Sequence, residues 1–167
     1  MSAPAPTRVV VLGLGNSLLT DDSVGLKIAA AVEARLPAAA PPGCTVEVAL
    51  SEVGGWDVLD LAEGFDAAVM IDASVDERLA PGELAWYDRG GGFTSGRLSG
   101  AHSTDVFTAL EYGRRCGLAV PDEVHVLGVG VFDVLTFSEE CTGEVKAAVD
   151  PGAEAVLQRV RDIALRR

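Results

Sequence analysis

Hydrophobic and polar positions along this chain switch repeatedly between two periods. Arg8–Leu12 is a run of apolar β-formers, continuous enough for a strand buried on both faces. Asp22–Leu36 follows with Val24, Ile28, Ala31, Val32 and Leu36 at helical spacing, and the Pro37–Gly43 stretch breaks that helix. Thr45–Leu50 alternates as a strand, Gly54-Gly55 opens a helix through Leu61, and Asp66–Ile71 is a third strand that ends at Asp72. Pro81-Gly82 turns the chain into Glu83–Tyr87, an edge strand. Arg89–Gly100 is a long Gly- and Ser-rich connection to a helix over His102–Cys116, in which Val106, Ala109, Leu110 and Gly113 share a face. Glu123–Val131 is a further strand, and Gly143–Arg166 a final helix interrupted near Pro151-Gly152. Strands alternating with helices predict an α/β fold: a twisted, mostly parallel sheet of about five strands, helices on both faces, and one antiparallel edge strand. Residues 1–167 form a single domain in this reading, with 1–7 as a loose tail.

Composition narrows the function. The formal net charge of −12 repels phosphate backbones, and no Lys/Arg cluster offsets it, which argues against nucleic acid and in favour of metal cations or a basic partner. No apolar run reaches the roughly 20 residues that span a membrane. The first residues lack a basic-then-apolar signal, so the expected location is the cytoplasm. Cys44, Cys116 and Cys141 are far apart and odd in number, which predicts reduced, mostly buried thiols rather than a disulfide framework or a thiolate zinc site. Cys141 lies among acids that raise its pKa, making it a poor nucleophile.

The first strand runs into Gly13-Leu14-Gly15-Asn16, which starts like a dinucleotide fingerprint. The third glycine position is Leu18, and Asp21 and Asp22 would face the pyrophosphate, so the glycines read at least equally well as a tight strand-to-loop turn. Asn16 reads as a residue bonding its own loop. Asp21 and Asp22 taken singly are helix caps, Asp72 a turn former, and His102 a satisfied histidine at a helix start. Together they say more. If strands one and three are parallel neighbours, Asp22 and Asp72 share one rim, and His102 follows a connection long enough to reach it. Two carboxylates and an imidazole suit a divalent transition ion such as nickel or zinc, with positions left open for water or substrate. Asp105, a turn after His102, reads as a solvated acid and His125 as a hydrogen-bonded sheet histidine. No nucleophile elbow and no paired-histidine metal motif is present.

GLGNSLLTDDSVG, VMIDAS, the PGE at Pro81–Glu83, GAHSTDVFTAL and VLGVG resemble, in order and spacing, the nickel–iron hydrogenase maturation endopeptidases. The resemblance implies a twisted, mostly parallel sheet flanked by helices. It implies an aspartic-type endopeptidase that removes a short C-terminal peptide from the hydrogenase large-subunit precursor after nickel insertion. It implies cleavage just after a basic residue and a metal-binding trio matching Asp22, Asp72 and His102. The nickel is recognised in the substrate, and zinc or cadmium could replace it in the isolated protein. Asp21 is a cap or the base that activates water. Three positions depart from the family pattern: Ser51-Glu52-Val53 where a Gly-Gly loop is usual, Asp105 where Gly is common, and Ser23 where Gly is frequent. The alternatives are a nucleotide-binding enzyme using the Gly13–Gly15 loop, a peptidyl-tRNA hydrolase (which also begins with a strand and GLGN), and a non-catalytic nickel chaperone.

Overall fold

The structure, a computed structural model, describes residues 5–52, 56–87 and 106–166. Five strands form one sheet: β1 (Thr7–Leu14), β2 (Cys44–Ser51), β3 (Ala67–Ser74), β4 (Leu84–Tyr87) and β5 (Glu123–Gly130). Their spatial order is β2-β1-β3-β5-β4; β1, β2, β3 and β5 run parallel, and β4 lies antiparallel on the β5 edge. The five described helices are α1 (Val24–Ala39), α2 (Asp57–Ala62), α3 (Val106–Arg115), α4 (Gly143–Ala147) and α5 (Val149–Leu165). This is the α/β architecture expected from the alternation of periods.

Alternate residues of the central strands feed two cores. Val9, Val11, Val69, Ile71, Leu127 and Val129 face α1 and α5, whereas Val10, Leu12, Ala68, Met70 and Val126 face α2 and α3. Every residue of β3 is buried, which explains the unbroken apolar run Ala67–Ile71. The chain leaves β1 for β2 on one side and then returns to β3 on the other. The strand order therefore reverses between β1 and β3, a topological switch point of the kind at which open α/β sheets bind ligands outside the carboxyl ends of their strands. No described helix is long and apolar enough to cross a membrane.

Two helix boundaries differ from expectation. Pro37 does not end α1, which runs on to Ala39. Glu33, whose carbonyl loses its donor to the proline, is exposed to water, so the loss is tolerated. The helix stops at Ala40, extended because Pro41 follows. The final helix breaks at Ala148 rather than at Pro151-Gly152, which lie in the first turn of α5, where a missing N–H costs little. Gly152 there lets α5 approach α1: a Cβ would stand 2.6 Å from Ile28 Cδ1. Of the three free cysteines only Cys141 is buried, Cys44 being half-buried and Cys116 exposed, so the expectation of mostly buried thiols fails.

Candidate functional site

Asp22 and Asp72 are both buried at the β1/β3 switch point. Asp72 lies in β3 one residue beyond the last pairing with β1, Gly13 with Ile71, and opposite Gly128 of β5. Its side chain is 3% exposed, and Oδ1 accepts a hydrogen bond from the Ala73 amide at 2.9 Å. Asp22, also 3% exposed, sits in a 3-10 turn, Asp21–Ser23, that leads into α1. No side-chain cap bond forms at the start of that turn or of α1, so the acids are not the helix caps that their positions suggest.

The glycines explain how the turn reaches the sheet. A Cβ on Gly25 would fall on the carbonyl oxygens of Leu14, the last residue of β1, and Ile71, the last β3 residue paired with β1, and one on Gly15 would fall on the Asp22 carbonyl oxygen. The first turn of α1 thus lies directly across both central strands, backbone against backbone, and it carries Asp22 to the rim that holds Asp72. The space that a pyrophosphate would need beside Gly15 is filled by the chain's own backbone, which removes the basis of the nucleotide reading. Asn16 bonds its own loop as expected, its Oδ1 accepting from the Leu18 amide at 3.0 Å. Ser51 and Glu52 brace the same loop. The Ser51 carbonyl accepts from the Gly15 amide at 3.2 Å, and Glu52 Oε1 from the Ser17 amide at 3.1 Å.

Asp21 is fully buried, and its partners were not foreseen. Oδ2 accepts from the amides of Phe132 and Asp133 at 3.1 and 3.0 Å, and Oδ1 from the Thr142 amide at 2.7 Å. The Thr142 hydroxyl stands 3.0 Å from both oxygens. The backbone adds Thr20 N to Thr136 O, Asp21 N to Asp133 O and Ser138 N to Leu18 O, at 3.0, 2.9 and 3.0 Å. Residues 18–21 are therefore laced to residues 132–142, a segment with no helical or strand period. Only the pairing of a buried acid with distant amides reveals it. These donors occupy the roughly four lone-pair sites of a carboxylate and leave none for a water proton. Asp21 thus fastens two segments together instead of capping a helix. Asp21→Ala strands three amides, each costing about 1–3 kcal/mol if left buried without an acceptor. The unfolding free energy in urea is expected to fall by at least about 2 kcal/mol, with Asp21→Asn intermediate; an unchanged midpoint for the Ala variant would remove this role.

Cys141 is next to this lacing, its Sγ 3.4 Å from Ser23 Oγ. Burial is the main cause raising its thiol pKa, with Asp21 and Glu140 adding to it, so it is the poor nucleophile expected but chiefly for a different reason. His125 is a hydrogen-bonded sheet histidine, Nε2 3.0 Å from Glu123 Oε1 and Nδ1 3.3 Å from Arg159 Nη1. His102, Asp105, Val53 and Gly54-Gly55 lie outside the described residues. Among the described residues no three His, Cys, Asp or Glu side chains are grouped to hold a metal; the expected trio includes His102.

Fold and rim define an open α/β protein whose buried carboxylates sit at a topological switch point, and in sequence and fold the chain is similar to hydrogenase maturation proteases. The chain is 28% identical over 162 residues to the Hydrogenase 2 maturation protease of Escherichia coli K12, covering 93% of this chain and 92% of that one. The structure of the hydrogenase maturating endopeptidase HybD from E. coli matches with a TM-score of 0.73 and 25% identity, covering 93% of both chains. The nickel–iron hydrogenase maturation protease HybD from Thermococcus kodakarensis matches with a TM-score of 0.63 and 25% identity, over 92% of this chain and 99% of that one. No protein-family model matches the chain. The resemblance read from the motifs is borne out along almost the whole length, and with it the assignment to the peptidases among the hydrolases.

Proposed function

We propose that this protein is a nickel-dependent endopeptidase that removes a short C-terminal peptide from the nickel-loaded large-subunit precursor of a nickel–iron hydrogenase, in the cytoplasm. The observation that carries this reading is the burial of Asp22 and Asp72 at the β1/β3 switch point, in a chain similar over 93% of its length to a maturation protease. Carboxylate oxygens, together with the imidazole of His102, are donors that a divalent transition ion accepts. The three side chains would grip nickel already held by the precursor and so fix one peptide bond beside them. Holding reactants in place can lower a barrier by about 7–11 kcal/mol at best. Water is the nucleophile in this scheme. Asp21 serves as a positioning residue, since its lone pairs are committed to Phe132, Asp133 and Thr142.

The test is to mix the full-length chain with purified precursor and read the mass of the large subunit. Nickel-loaded precursor is expected to lose the mass of its C-terminal tail, and nickel-free precursor to keep it. A nickel-loaded precursor that binds the chain but keeps its mass would transfer the assignment to a non-catalytic nickel chaperone. Equal cutting of both forms would remove nickel from the recognition step.

A further inference from the structure

The rim that bears Asp22 and Asp72 also carries most of the large exposed hydrophobic side chains among the described residues. Among the described residues nine large hydrophobic side chains are exposed, and six stand where the four parallel strands leave the sheet. Leu18 follows β1, Leu50 is near the end of β2, Val75 follows β3, and Phe132, Leu135 and Phe137 follow β5. Phe132 and Phe137 are each 80% exposed and Leu135 is 62% exposed. Single exposed hydrophobics are ordinary; their gathering at one end of a sheet marks a surface that binds something.

The segment that presents the three from β5 is firmly held. Asp133 Oδ1 accepts from the amides of Leu135 and Thr136 at 3.0 and 2.9 Å, the Thr136 carbonyl accepts from the Thr20 hydroxyl at 2.7 Å, and Asp21 anchors both ends. Side chains presented on a backbone already held in place need no loop ordering on binding, which favours an interface anchor. The charged residues within 131–142 are Asp133, Glu139 and Glu140, all acidic, and the whole chain carries −12. That charge disfavours a second copy of this chain, an anionic membrane or a nucleic acid, and favours a partner that is apolar and basic.

Building on the proteolytic reading, we infer that this rim docks the substrate protein. It takes a segment of the precursor rich in apolar and basic residues and holds it beside the bond presented at Asp22 and Asp72. Phe132, Leu135 and Phe137 act as specificity determinants through binding, without taking part in the chemistry.

The test compares the wild-type chain with the triple variant Phe132→Ser, Leu135→Ser, Phe137→Ser, using nickel-loaded large-subunit precursor as the probe. Because the three side chains are largely exposed, thermal melting is expected to be unchanged. The precursor concentration at half-maximal rate is expected to rise at least 10-fold, which is about 1.4 kcal/mol, with the maximal rate within about threefold. Leu165→Ser, 85% exposed at the end of α5, is the control and is expected to behave as wild type. A triple variant with wild-type half-saturation overturns the inference. So does size-exclusion chromatography that shows a wild-type dimer which the variant converts to monomer, since the rim would then join two copies. If the wild type binds precursor without shortening it, the proteolytic reading fails, while selective loss of co-elution in the triple variant still supports docking.

Discussion

Asp72→Asn and His102→Ala are each expected to slow precursor shortening by at least about 10²-fold, the cost of misplacing a reacting group by about an ångström. The two variants isolate the carboxylate on β3 from the imidazole after the long connection. The Asn substitution keeps the shape of a side chain that is 3% exposed and removes its charge. A buried carboxylate carries a desolvation cost that an amide avoids, so the urea midpoint of Asp72→Asn is expected to match or exceed wild type. Lost cutting with retained or raised stability separates a functional carboxylate from one kept for the fold. Mass spectrometry of the large subunit reads the first and urea unfolding the second. Normal trimming by either variant would sink its assignment to the metal-recognising trio.

Gly25→Ala is expected to be the most destabilising small substitution near the rim. Its new methyl would land on the carbonyl oxygens of Leu14 and Ile71, which belong to central strands and cannot move aside as a flexible side chain would. Overpacking of this kind costs about 3 kcal/mol. For a chain of this length that is a fall of roughly 6–12 °C in Tm. Relief requires α1 to lift from the sheet, which carries Asp22 away from Asp72, so cutting is expected to fall as well. Gly143→Ala is the matched control, because a Cβ there meets no atom within 4 Å, and its effect is expected to stay within about 1 kcal/mol. A Gly25→Ala protein that melts with wild type would show that the helix start has room to adjust.

Much of this architecture is legible in the chain because buried parallel strands leave a strong mark. The apolar runs before Gly13 and Asp72 identify β1 and β3, whereas their adjacency was only a condition of the sequence reading and is supplied by the structure. Under that condition Asp22 and Asp72 share one rim. Local signals were less faithful where two of them competed. Pro37 and Pro41 both read as stops for α1, and water at an exposed carbonyl decided between them. The glycines after β1 read as a turn, yet what they provide is room for a helix to touch the sheet. The segment from Val131 to Thr142 was illegible for a simple reason: its order comes from residues 18–21, more than a hundred positions away, so no local period encodes it. Asp21 itself was read from its neighbours in sequence as a cap or base, and its partners in space gave it different work.

The lacing of Asp21 to residues 132–142 also fixes when this rim can assemble during synthesis. The opening motif emerges first, but its buried acid meets its partners only after Thr142 has been made. β4 likewise waits, since it pairs in the sheet only with β5, which is translated later. A nascent chain holding the first two-thirds of the sequence therefore has Asp21, Asp22 and Asp72 without the segment that fastens their rim. Synthesis through Thr142, not the appearance of the opening motif, is the step that lets this rim assemble.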